Sequence, residues 1–276
     1  MPAILFHLRS RNDLNPGSSD SRYLHLWQGQ IVQTGDHWLA NTMHPCASDC
    51  HNEPLPLYIA SLGRQDIYLK ILANVTSRLS EHLWQPKQLL LNTQPAEAAI
   101  LARGLQLFHW LCNHRFCGRC GGQTRLHDEL TVMLCSQCEY QQYPRLSPCI
   151  IVLVRRDNHL LLAHNANFTS NYYSAIAGFI EAGESVEQAV HRELQEEVSI
   201  RVTDLQYQSS QSWAFPHSLM LGFSARYQDG IIQVDGQEIL AADWFSIDNL
   251  PALPPWFSIA RQLIDQLVCE IKLNQP

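Results

Sequence analysis

The chain has 276 residues, 46% of them hydrophobic, and carries 26 acidic against 19 basic side chains, a net charge of −7. Its length predicts about two domains with sizeable cores. The acidic balance excludes a protein that coats nucleic acid, which needs many phosphate-neutralising Lys and Arg, but admits one that takes a single small phosphorylated ligand.

The apolar run Ala3–Phe6 is too short for the h-region of a signal peptide, and no stretch reaches membrane-spanning length. The ending IKLNQP carries no lipidation or peroxisomal address. The expectation is a cytoplasmic protein without membrane contact, whose nine cysteines serve as thiols and metal ligands rather than disulfides.

In chain order, YLHLWQGQIV, PLYIASLG and DIYLKILANV read as strands and turns of a small N-terminal domain. His44, Cys46, Cys50 and His51 have metal-ligand chemistry, but their CxxxC has no matching partner and reads as a polar loop. In PAEAAILARGLQLFHWLCN, Ile100, Leu101, Leu105, Phe108 and Leu111 fall near helical spacing, which predicts a helix joining two units. Cys117, Cys120, Cys135 and Cys138 then form two CxxC knuckles separated by fourteen residues. That pattern predicts a structural Zn²⁺ site, four thiolates closing a tetrahedron with no position left for water. Cys112, Cys149 and Cys269 sit in apolar contexts and are expected in the core.

PCIIVLVRRDNHLLLAH reads as two strands around an Asp157-Asn158 turn. Ser185 with Gln188 is a capping-box pattern, so a helix should start there. Val186, Val190, Leu194 and Val198 make its apolar stripe, and Glu193, Glu196 and Glu197 fall on an arc of about 100° beside it. Glu197 lies nearest the stripe. Crowded carboxylates repel, and Arg192 is the one nearby cation. A divalent ion such as Mg²⁺ or Mn²⁺ would explain the crowding, and a solvated acidic face is the plainer alternative. Gly178 and Gly183 ahead of the helix permit a tight approach and favour the ion. Residues 201–247 alternate as strands, and PWFSIARQLIDQLVCEI reads as a closing amphipathic helix.

Gly178, Glu184 and Arg192-Glu193-Leu194-Gln195-Glu196-Glu197 resemble the box of the Nudix hydrolases, with Ser199 where the box has glycine. Ser210-Gln211-Ser212-Trp213-Ala214-Phe215-Pro216-His217-Ser218 resembles the SQPWPFPxS signature of the NADH pyrophosphatase and NAD-capped RNA hydrolase branch, with Ser212 and Ala214 in place of prolines. The likeness runs from about residue 95 to the end.

The resemblance implies a Nudix α/β/α sandwich with a mixed sheet at 146–276 and a zinc ribbon at 113–145; with the strands read ahead of them, the expectation is an α+β chain whose N-terminal α+β domain, β-rich, spans 1–112. The resemblance also implies hydrolysis of NADH or NAD⁺ to nicotinamide mononucleotide and AMP, and removal of NAD caps from RNA 5′ ends, by a homodimer. It assigns Glu193, Glu196, Glu197, Glu238 and Ala177 to catalytic Mg²⁺ or Mn²⁺, with Glu238 as ligand or general base, and Glu184 with Arg192 to a structural ion pair. It places a base between Phe179 and Tyr143 across the dimer interface. It gives substrate contacts to Gln211, Ser212, Trp213, Ala214, Phe215, Pro216, His217, Ser218 and Ala260. Two other readings stay open: a general Nudix hydrolase of ADP-ribose or nucleoside triphosphates, and a nucleotide sensor or zinc-ribbon binder without catalysis.

Overall fold

The computed structural model describes residues 4–5, 15–16, 18–33, 37–41, 43, 56–75, 82–127, 130–168 and 170–273. The cluster of His44, Cys46, Cys50 and His51 lies outside them. Two compact units emerge, residues 1–145 with 214–217, and residues 146–213 with 218–276.

The first unit is built on β1 (Ile4–Leu5), β2 (Ser21–Trp27), β3 (Gln30–Val32), β4 (Leu39–Ala40), β5 (Leu57–Leu62), β6 (Gln65–Ile71) and β7 (Leu83–Trp84). They pair in the order β1-β5-β6-β2-β3-β7, with β4 beside β2. Neighbours are antiparallel except β2 and β6, which run parallel. A short α1 (Pro86–Leu90) precedes α2 (Pro95–Asn113). Proline opens both helices, where its missing N–H costs nothing.

Ile100, Leu101, Leu105 and Phe108 of α2 are buried as their spacing predicts, while Leu111 near the helix end is only half-buried. The helix does not bridge two units as the sequence suggested; it lies on the sheet of the first, in contact with β2, β5 and β6. Gly104 makes that approach possible, since a Cβ there would overlap the Leu24 side chain. The first unit also holds a small sheet of β8 (Thr124–Leu126), β9 (Met133–Cys135) and β10 (Gln141–Gln142) around the four cysteines.

The second unit contains β11 (Ser147–Arg156), β12 (His159–Asn165), β13 (Ile176–Phe179), α3 (Val186–Val198), β14 (Ile200–Trp213), β15 (Ser218–Gly230), β16 (Ile239–Ser246) and α4 (Ile259–Leu273). The sheet order is β14-β15-β11-β12-β16, with β13 beside β11. It is mixed, because β11 and β15 run parallel while their neighbours run antiparallel. The Asp157-Asn158 turn joins β11 to β12, with Asp157 at φ 53°.

Side chains of β11 alternate between two cores, as the pleat requires. Ile150, Val152 and Val154 join Val190, Leu194 and Val198 of α3 on one face. Ile151 and Leu153 join Leu263, Ile264 and Leu267 of α4 on the other. Each fully buried aliphatic side chain contributes about 1.5–3 kcal/mol. This is the α/β/α sandwich the resemblance implied. Cysteine placement follows the sequence only in part: Cys149 on β11 is buried, but Cys112 and Cys269 are exposed. Both lie on helices whose apolar stripes turn past them. Among the described residues, no helix is long and apolar enough to cross a membrane.

Candidate active site and zinc centre

The carboxylate helix starts and stops on local chemistry. Ser185 Oγ accepts the Gln188 N–H at 3.2 Å, and Gln188 Oε1 accepts the Ser185 N–H at 2.7 Å, a complete capping box. At the far end Ser199 is left-handed, φ 58° and ψ 34°, the conformation that favours glycine there. Between them, Val190, Leu194 and Val198 are fully buried. The stripe carries its neighbours down with it: Glu193 is 9% exposed and Glu197 5%, while Glu196 stays in solvent.

Gly178 on β13 faces this helix. A Cβ at that position would overlap the Glu193 carboxylate, so glycine is what lets the carboxylate lie against the strand. Arg192 organises the rest. Its Nε and one terminal nitrogen hold the two Glu184 oxygens at 2.8 and 2.9 Å, and that same nitrogen donates to the Phe179 carbonyl at 2.8 Å. Its other terminal nitrogen spans Glu193 Oε1 at 2.8 Å and Glu196 Oε2 at 3.0 Å. One guanidinium thus joins the loop, β13 and two of the helix carboxylates. It holds the Glu184 carboxyl below its usual range, together with the Glu181 N–H.

Glu197 has no such partner. Its Oε2 is buried without a hydrogen bond. Burial, then the charges of Glu193, Glu238, Asp235 and Glu196, push its carboxyl up to about 8. Burial also raises Glu193, against the pull of Arg192. Exposed like charges on a helix cost a few tenths of a kcal/mol, whereas burying an unpaired carboxylate costs several, so burial dominates. An orphaned buried carboxylate among further acids is a donor set that fits a divalent cation.

The carboxylates do not converge as the thiols do. Among the described residues, only the four cysteines form a group of three or more ligand atoms within 4.8 Å of one another. Glu238 sits exposed on the segment before β16, its N–H bound by Asp235 Oδ2 at 2.9 Å, and its charge reaches both Glu193 and Glu197.

Beside Glu197 the second unit opens a cavity of about 200 Å³. Ala177, Trp213 and Ala260 line it, as does Glu197 itself. Phe168, Tyr172 and Ser258 also line it, and sequence reasoning missed them. The Phe168 and Tyr172 rings stack with centroids 4.3 Å apart. Of the nine-residue aromatic signature, Trp213 is the member on the cavity wall. Its ring also stacks on Phe257 at 6.1 Å. Gln211 instead binds backbone: Nε2 donates to the Phe257 carbonyl at 2.7 Å and Oε1 accepts the Ile259 N–H at 2.8 Å. Ser212 is exposed on β14 and Ser218 is buried at the start of β15. Ala214, Phe215, Pro216 and His217 belong to the first unit. Phe179 and Tyr143 each keep an exposed ring, 54% and 60%.

In the first unit, Cys117 and Cys138 Sγ lie 3.7 Å apart, and Cys120 and Cys135 Sγ 3.5 Å. Zinc–sulfur bonds of about 2.3 Å in a tetrahedron space the sulfurs about 3.8 Å, so the four thiols fit zinc. Backbone N–H groups of Cys138 and Gln137 point at the Cys135 sulfur and lower its thiol below the ordinary range. A thiol so placed is readily the thiolate that zinc binds.

Residues 113–143 match the NADH pyrophosphatase zinc ribbon domain, and residues 144–267 match the NUDIX domain. A NAD-capped RNA hydrolase NudC of Pseudomonas syringae is 42% identical over 234 residues, 84% of this chain and 81% of that protein. The chain belongs to the NADH pyrophosphatase and NAD-capped RNA hydrolase branch of the Nudix family. Another Nudix relative, the NAD-capped RNA hydrolase NudC of Pseudomonas aeruginosa, is 50% identical over 183 residues. That match spans 66% of each chain, just under two thirds of the relative's length. Among solved structures, a NUDIX hydrolase from Nitrosomonas europaea aligns with a TM-score of 0.46 at 24% identity, over 59% of this chain and 94% of that one. The segment from Gly178 to Ile200 lies within the residues matched to the NUDIX domain, and Glu193, Glu196 and Glu197 lie along α3.

Proposed function

We propose that the protein hydrolyses the pyrophosphate bond of NADH or NAD⁺ to nicotinamide mononucleotide and AMP, and that the same cut removes an NAD cap from an RNA 5′ end. The observation that carries this reading is Glu197: a buried carboxylate with an unpartnered oxygen, on the Nudix-box helix and on the wall of a cavity. The activity for which the relatives are named, NAD-capped RNA hydrolase, supports the substrate class.

In this reading Glu193, Glu196, Glu197 and Glu238 hold Mg²⁺ or Mn²⁺, with the Ala177 backbone beside them. A divalent ion held by these carboxylates would supply charge neutralisation at the phosphate oxygens and a more acidic water. Glu238, exposed and close enough in charge to raise Glu193 and Glu197, takes the proton of the attacking water. Arg192 holds Glu193 and the box loop in register, and Gly178 leaves room for the Glu193 carboxylate. Trp213 and Ala260 take part of the dinucleotide and exclude solvent. The exposed Phe179 ring offers a face to a base, and Tyr143 offers a second from the other copy of a homodimer. The cytoplasm, where thiols stay reduced, suits the zinc ribbon.

The deciding assay is AMP release from NADH with Mg²⁺ or Mn²⁺, comparing the parent with Glu197→Gln. The variant should be slower by about a hundredfold, the usual loss when one electrostatic element of a site is removed. Equal rates would refute the metal-helix mechanism. Faster turnover of ADP-ribose or dATP than of NADH would favour a general Nudix hydrolase.

A further inference from the structure

Gln211 and Trp213 are two residues apart on β14, so they share one face of the sheet. Both reach the segment that leads into α4. Trp213 does so by stacking on Phe257. Gln211 does so with both ends of its amide, one on the Phe257 carbonyl and the other on the Ile259 N–H, 46 and 48 residues away. Between those anchors stands Ser258, whose Oγ donates to the Pro255 carbonyl at 2.8 Å and accepts the Arg261 N–H at 3.3 Å. Pro255, Ser258, Ile259 and Ala260 all line the cavity beside Glu197. Gln211 itself is not among the lining residues. The backbone groups at a helix start have no partner within the helix, so whatever binds them sets where that start lies.

We propose that Gln211 is a positioning residue, which through the Phe257 carbonyl and the Ile259 N–H fixes residues 258–260 as a wall of the substrate cavity. This rests on the hydrolase reading above. The clamp needs a donor and an acceptor on one planar group. A glutamine supplies both. A glutamate has the same shape but supplies only the acceptor when ionised, and regains the donor when protonated. An alanine supplies neither.

The test uses the zinc-loaded 276-residue chain as parent, Gln211→Ala and Gln211→Glu. Hydrogen exchange at the Ile259 amide reads the clamp directly, and steady-state hydrolysis of NADH with Mg²⁺ across pH 5 to 8 reads its consequence. Gln211→Ala should lose protection at Ile259 and raise KM about tenfold, the scale of one lost hydrogen bond, with kcat within about twofold of the parent. For Gln211→Glu, the ratio of its KM to the parent's should fall toward one as pH drops and the new carboxyl protonates. A merely structural role predicts no such pH-dependent rescue. Unchanged exchange at Ile259 and unchanged KM in Gln211→Ala would overturn the proposal, as would a Gln211→Glu ratio that is flat with pH. If Gln211→Ala does not fold, the Gln211→Glu ratio decides. If the parent leaves NADH intact, the hydrolase reading fails on its own, and Ile259 exchange alone decides the clamp.

Discussion

Glu197 concentrates the chemistry of the site in one residue. Its folded-state carboxyl is raised to about 8 from an ordinary 4.5. The sign of the linkage follows. Between those values the folded chain keeps a proton that the unfolded chain has released, so the contribution of Glu197 to stability is full below about 4.5 and is lost as pH rises through about 8. Without added magnesium, the zinc-loaded protein should therefore melt at a lower temperature at pH 8 than at pH 5.5. Glu197→Gln should flatten that dependence, and magnesium should restore the parent at pH 8, where a cation replaces the proton. A thermal melt series checks all three, and a parent curve that rises with pH would contradict the argument. That this residue would be buried was legible from its place beside the apolar stripe. Its lack of a partner was not, because partners come from other strands. Phe168 and Tyr172 were invisible for the same reason: they sit on a loop without periodicity and share a cavity with Trp213 and Ser258 only in the folded chain.

At the scale of elements, α3 shows how far local sequence reaches. The box between Ser185 and Gln188 and the apolar spacing located its start and its buried face. The end is held at a cost, since Ser199 stands in the left-handed region that disfavours a side chain. Ser199→Gly should stabilise the protein by about 0.5–1 kcal/mol in chemical denaturation and leave hydrolysis unchanged, because no ligand is altered. A loss of stability would mean that the serine side chain contributes something the backbone conformation does not explain. The pattern of α2 was equally clear in period and misleading in destination. Helical spacing says which face is buried and is silent about the surface that buries it. The sheet of the first unit, against which Gly104 admits Leu24, was the missing information. Cys112 and Cys269 were misjudged on neighbours in sequence, when the helical phase decides exposure.

Over the whole molecule, two kinds of stabilisation stand side by side. The second unit has two aliphatic cores around its mixed sheet. The three-stranded ribbon of β8, β9 and β10 has short strands and four thiols gathered within reach of one zinc ion, so its fold is expected to depend on the metal. Chelation of zinc, or Cys135→Ser, should remove hydrogen-exchange protection from residues 113–143 while β11, β12 and β15 keep theirs. Loss of protection in both regions together would show that the sandwich leans on the ribbon. The two-knuckle spacing made the zinc site the most readable part of the chain, because its ligands come from two short turns. The cavity was the least readable, because its wall is assembled from segments spread between residues 151 and 260.

The alternation along β11 reaches beyond packing. Even-numbered residues Ile150, Val152 and Val154 meet the carboxylate helix, and odd-numbered Ile151 and Leu153 meet the helix whose first turn walls the cavity. Ten residues of one strand thus serve as a shared datum line for the acidic groups and for the chamber beside them. An inserted residue midway along it would exchange the two sides downstream and put both out of alignment at once, whereas a swap of one aliphatic side chain for another would disturb a single side. The tolerance of this protein to drift is accordingly set by the length of that strand more than by its composition.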